Sequence, residues 1–236
     1  MKKTFLLLSI TLLLLQSCSS ENSSNENNNS STYSFSQGGI ITDIDGNSYP
    51  TIVTNCSNQV WMQKNLNVSH YRNGDLIPQV TDPTAWGNLT TGAWCYYNND
   101  AANGIVYGKL YNWYAVNDSR GLAPVGYHIP TKAEWTIFIN CLEGEFVAGG
   151  KMKETGISHW NDPNTAATNE SGFTGLPGSS RDIAIFGNIG TYAKFWSSSE
   201  QNSSEASGYF MNYGTSACFS IYENKKNGFS VRCIKN

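Results

Sequence analysis

Thiols are the first candidates for chemistry in this chain, which has six cysteines and three histidines. Cys18 stands straight after an apolar run and the small residue Ser17. That is the setting of a thiol that becomes acylated and forms a new N-terminus. The other five, Cys56, Cys95, Cys141, Cys218 and Cys233, are odd in number, so at least one stays free or pairs between chains. None sits in a CxxC pair or a Cys/His cluster, which argues against structural zinc. A reactive thiol needs a basic or histidine neighbour to lower its pKa. Thr215-Ser216-Ala217-Cys218-Phe219-Ser220-Ile221 offers none, so Cys218 is expected to be buried or bonded.

His70, His128 and His159 are far apart and show no metal-site spacing. His128 stands beside a helix start and is expected to be structural. No Gly-x-Ser-x-Gly elbow occurs, and no carboxylate pair suited to glycoside hydrolysis can be named. Asn98-Asn99-Asp100, Asn117-Asp118 and Asn161-Asp162 offer oxygen ligands of the kind calcium takes, with Asp100, Asp118 and Asp162 as the candidates. No other cofactor is expected. Trp86, Trp94, Tyr96 and Tyr97 fall in one loop-rich stretch, where exposed rings would stack on sugars. The competing expectation is that they staple long loops to a core.

The elements that must position these residues begin with an export signal. Lys2 and Lys3 precede the apolar run from Phe5 to Leu15, too short to span a bilayer and right for a signal peptide. Residues 1–17 are therefore expected to be cleaved and Cys18 lipidated. Residues 18–37, rich in Ser, Asn and Glu, read as a disordered tether. Residues 38–236 read as one domain. Removing residues 1–17 leaves 13 basic and 18 acidic side chains, a net charge of −5. That balance argues against nucleic acid as a partner. The expected address is the bacterial cell envelope, with a lipid anchor in the outer membrane and the domain periplasmic or surface-exposed.

Within the domain, Ile40 to Ile44 leads into Asp45-Gly46, a hairpin signal, followed by strands at Tyr49–Thr54 and Gln59–Gln63. Thr131 and Glu134 form a capping box ahead of Trp135, Phe138, Ile139 and Leu142, spaced as one helical stripe that Gly144 ends. Leu110 to Val116 is a second, shorter helix candidate. Strands are expected at 192–198, 208–213, 217–222 and 229–234. In the last, Phe229, Val231 and Cys233 share one face.

Several separated stretches resemble the Fibrobacter succinogenes major paralogous domain, a family of exported bacterial modules. They include Gln59-Val60-Trp61-Met62-Gln63-Lys64-Asn65-Leu66, Tyr107-Gly108-Lys109-Leu110-Tyr111-Asn112-Trp113, Gly126-Tyr127-His128-Ile129-Pro130-Thr131, Gly172-Phe173-Thr174-Gly175-Leu176-Pro177-Gly178 and Ser230-Val231-Arg232-Cys233. More distantly, the helix start and last strand are similar to formylglycine-generating-enzyme and C-type-lectin-like folds. The resemblance implies an α+β domain with short antiparallel sheets, one or two helices and long loops. It also implies a Cys141–Cys233 disulfide closing a loop of about 90 residues, worth ~4–5 kcal/mol. Cys56 and Cys95 then form a second, and Cys218 stays free. Trp160-Asn161-Asp162 is similar to a lectin sugar-binding triplet but stands too early in the chain, and reads as a turn before Pro163. The function expected is non-catalytic binding of an extracellular glycan or protein. The alternatives are a formylglycine-generating-type enzyme, for which a second late cysteine is missing, and a structural envelope component.

Overall fold

A computed structural model describes residues 34–236. The apolar run, Cys18 and the tether as far as Tyr33 lie outside the described residues. Strand β1 (Phe35–Thr42) pairs antiparallel with β2 (Ser48–Thr54). It takes in Phe35 to Gln37, residues assigned to the tether, because Phe35 has a ring to bury: it packs edge-on against Phe138 at 6.4 Å. The connection is not a two-residue turn but the five residues Asp43–Asn47. The Asp43 carboxylate organises it, accepting from Asp45 N, Asn47 N, Asn47 Nδ2 and the Tyr49 hydroxyl.

In chain order the other elements are β3 (Val60–Met62), α1 (Pro83–Gly87), β4 (Trp94–Cys95), α2 (Ala101–Tyr107), β5 (Leu110–Tyr111), α3 (Trp113–Val116), β6 (Tyr127–His128), α4 (Lys132–Cys141), α5 (Glu145–Met152), β7 (Arg181–Asp182), β8 (Ile185–Phe186), β9 (Tyr192–Glu200), β10 (Glu205–Asn212), β11 (Cys218–Asn224) and β12 (Ile234–Lys235). The strands form a five-stranded sheet β1-β2-β3-β12-β6, a three-stranded sheet β11-β10-β9 and the ribbons β4-β5 and β7-β8. Pairing within all of them is antiparallel, so the fold is α+β with several short sheets.

The capping box forms as read. Thr131 Oγ1 accepts from Glu134 N, and Glu134 Oε2 accepts from Thr131 N. Trp135, Phe138, Ile139 and Leu142 all enter one apolar cluster with Trp61, Phe173 and Phe195. Fully burying each such side chain contributes ~1.5–3 kcal/mol. The expected helix over Leu110 to Val116 divides instead into β5 and the single turn α3. Asn112 separates them, with Oδ1 accepting from Ala93 N and Ala115 N. Of the expected final strand, only Ile234 pairs regularly. Phe229 bridges to Tyr111 and Ser230 to Phe195, so the segment threads between sheets.

Loops this long need an internal lock. Five buried cations provide it among the described residues: Lys109, Lys153, Arg181, Lys225 and Arg232. Each lies over an aromatic ring, respectively Trp94 at 4.3 Å, Trp160 at 5.4 Å, Trp86 at 4.3 Å, Trp113 at 4.8 Å and Phe173 at 4.3 Å. Each also takes at least one backbone carbonyl, and Arg181, Lys153 and Arg232 take three or more. Arg181 donates to Val80, Thr81, Asp82 and Ile183, and Lys153 to Thr165, Asn212 and Thr215. Lys225 bonds Ser203 O and the Glu200 carboxylate. In Arg181, Lys153 and Arg232 one side chain thus satisfies several loop carbonyls that burial would otherwise leave unpaired.

The disulfide joins Cys56 to Cys141, with Cα atoms 6.0 Å apart. This corrects both expected pairings, Cys141–Cys233 and Cys56–Cys95. The end of α4 lies against the turn after β2, which carries Cys56. Cys233 is buried in a different cluster, with Tyr49 and Val231, and Cys95 in a third, with Trp86 and Leu110.

Candidate functional site

A surface cleft of about 290 Å³ opens where the hairpin connection, the chain after β3, helix α2 and the loop after Phe173 meet. Amides line it, from Asn47, Gln63, Asn65 and Asn67, with Ile105, Val106 and Leu176 as its aliphatic part. Ile105 is 87% exposed and Val106 42%, although both stand on a helix. Asp100 caps that helix, accepting from Ala102 N, and Gly108 ends it at φ +71. A Cβ at Gly108 would come within 2.8 Å of Leu66 O, so glycine lets α2 sit close against the cleft.

The cleft is built on Arg232. Its Nε donates to Asn65 Oδ1 at 2.6 Å, Nη1 to Met62 O and Phe173 O, and Nη2 to Thr174 O. Asn65 passes the constraint on, donating to Tyr107 O and Ser230 Oγ. Burial pushes the Arg232 guanidinium down to about 9, which leaves it charged at neutral pH. Thr174, on the cleft wall, has φ +52. A β-branched residue there is strained by ~1–3 kcal/mol and persists only when its surroundings over-determine it. Here Thr174 O is held by Arg232, and Thr174 N donates to Asn169 Oδ1 at 2.8 Å.

Two charged groups reach the opening. Lys64 is exposed, and Glu154 carries a 2.7 Å contact to His159 Nδ1. Behind the wall, Lys109 Nζ donates to Asn67 O and Ser69 Oγ; burial lowers it to about 8, against the opposing pull of Asp45 and Asp43. The other two histidines also face carboxylates, His70 with Asp45 and His128 with Glu134.

The residues singled out by sequence do not gather here. Trp86, Trp94 and Tyr97 are buried and only Tyr96 is half-buried, so they form no stacking platform. Trp94 and Tyr96 meet edge-on at 69°, and Trp86 lies under Arg181. The loop-stapling expectation describes them. Asp100 is a helix cap, Asp118 is clasped by Arg120, and Asp162 is exposed before Pro163. Among the described residues no three His, Cys, Asp or Glu side chains group to hold a metal. The free thiols of Cys95, Cys218 and Cys233 are buried in three separate apolar clusters. Burial raises Cys95 to about 11 and drives Cys218 and Cys233 higher still. Sequence reasoning missed Asn65, Ile105, Val106 and Thr174. Asn65 and Thr174 stand inside stretches that carry the family resemblance.

Fold and cleft together define an α+β domain whose irregular loops, locked from within by buried cations, carry a surface depression. The model of the Fibrobacter succinogenes major domain matches residues 55–235, and the chain belongs to that family. The β1–β2 hairpin lies wholly ahead of the match, yet it belongs to the sheet that holds β3, β12 and β6. No curated protein and no solved structure matches the chain.

Proposed function

We propose that this protein is an exported lipoprotein, anchored to the outer membrane through Cys18, whose non-catalytic domain binds a segment of an extracellular protein in the Arg232-braced cleft. The signal, Cys18 and tether supply the address, and the Cys56–Cys141 disulfide suits an oxidising compartment. We read the domain as C-type-lectin-like, on the strength of its capped helix α4 and its C-terminal strand inside the main sheet. The observation that carries the binding role is Thr174, held strained on a cleft wall across from an almost fully exposed Ile105. Fixed backbone strain collects at ligand sites. The side-chain oxygens of Asn47 and Gln63, whose NH2 groups are already bonded, suit the N–H groups of a peptide backbone, and the aliphatic part suits an apolar side chain.

The enzyme reading loses support from the thiols, since formylglycine-type chemistry needs two that can meet. A photo-crosslinking residue at position 105, in intact cells, tests the binding role. Capture of one defined extracellular or envelope protein, lost when Asn65→Ala is added, supports it. Labelling confined to glycan would replace the protein segment with a sugar. No adduct above that from a crosslinker at exposed Ile185 would refute the role.

A further inference from the structure

A second depression, of about 280 Å³, lies between the loop ahead of β4 and the chain after α3. Its walls carry Thr90, Thr91, Tyr114, Asn117 and Ser119. The side chains of these five make no hydrogen bond with other described residues. One side of it is preset. The Arg120 guanidinium stacks on the Tyr71 ring at 4.0 Å and is fixed by Asp118, with Nε and Nη2 at 2.9 and 2.8 Å, and by Asp75 at 3.2 Å. The Tyr71 hydroxyl is fully buried beside Asp118 and Arg120, without a hydrogen bond of full geometry to either. It lies directly against Gly92, which lines the depression and has no room for a Cβ. Burial and then the Asp118 charge push this phenol up to about 12, so it stays neutral.

We infer that this depression is a saccharide site, taking one neutral, hydroxyl-rich sugar ring. The charges decide the ligand's sign. Arg120 is already shared between two carboxylates, so an anion finds no free cation, and Asp118 has both oxygens engaged by the guanidinium rather than open to a cation. The unused groups are hydroxyls and an amide, which both donate and accept and so match vicinal sugar hydroxyls. The half-buried Tyr114 ring offers an apolar face. The volume stands at the lower end of small-molecule sites, ~300 Å³, enough for a single ring rather than a long chain. The inference does not rest on the protein-binding cleft, which is lined by other residues.

The test is amide shift mapping on the full chain, titrated with the methyl glycosides of glucose, galactose, mannose and N-acetylglucosamine. Saturable shifts at Thr91, Tyr114 and Asn117 are expected for at least one glycoside, with a Kd on the order of millimolar. The double variant Tyr114→Phe with Asn117→Ala removes two side-chain groups that hold no protein hydrogen bond, so it should keep the wild-type melting temperature and weaken that glycoside about tenfold, or ~1.4 kcal/mol. Binding unchanged in that variant overturns the inference. So does the absence of saturable shifts with all four sugars, or shifts confined to Asn65 and Thr174. The crosslinking result at position 105 stands or falls separately.

Discussion

Arg232 carries the heaviest structural demand, and Arg232→Met isolates it. Methionine keeps much of the volume and removes the donors. Four acceptors then lose their partner: Asn65 Oδ1, Met62 O, Phe173 O and Thr174 O. All four bonds come from a charged donor, worth ~1.5–3 kcal/mol each. The cost of desolvating the guanidinium, several kcal/mol, disappears with it. The net loss should be ~3–5 kcal/mol, a large part of the ~5–15 kcal/mol available to a domain. At this size each kcal/mol moves the melting temperature by ~2–4 °C, so a fall of about 10 °C is expected. Urea unfolding followed by tryptophan fluorescence measures it. Arg232→Lys should recover less than half, because a single ammonium cannot span acceptors on both the chain after β3 and the loop at Phe173. A loss below ~1 kcal/mol for Arg232→Met would refute the claim that this cation braces the cleft.

The remaining predictions follow the same locks. Replacing Cys56 and Cys141 by serine opens a link across 85 residues and should cost ~2–5 kcal/mol; non-reducing peptide mapping should recover those two cysteines joined. Cys95, Cys218 and Cys233 should resist iodoacetamide in the native state and react once unfolded, since burial raises all three thiols; native labelling of any would contradict their burial. Burial also depresses Lys153 to about 8 from 10.5. Between those values the folded state binds fewer protons than the unfolded one, so this contribution grows as pH rises and is lost as pH falls through about 8. Chemical denaturation at stepped pH should show wild type gaining on Lys153→Met between about pH 8 and 10.5; a falling difference refutes the assignment.

The local signals in the sequence were readable where a few neighbouring residues decide the structure. Thr131 and Glu134 fixed the start of α4, and the spacing of Trp135 to Leu142 fixed its buried face. The alternation of Phe229, Val231 and Cys233 pointed correctly into one cluster. Its other side was harder, because Arg232 reads as a solvent residue until Met62, Phe173 and Thr174 are seen to present carbonyls to it. Helix α5 was hidden by Gly149 and Gly150, which break helix propensity but let the helix lie against Ala217 and Ala166. The disulfide partner of Cys141 depended on where the β2–β3 turn falls in space, which no spacing reports. The cleft was illegible for the same reason: four segments distant in sequence supply it, and its strained residue is an ordinary threonine by type.

The central proposal is that this domain works outside the cytoplasm at the end of a lipid anchor. Intact-mass and N-terminal analysis of the protein purified from its native membranes tests that directly. A chain beginning at Cys18 and carrying acyl mass, with Cys56 and Cys141 oxidised, is the predicted result. A chain that keeps Met1, lacks acyl mass and partitions with cytosolic proteins would contradict it.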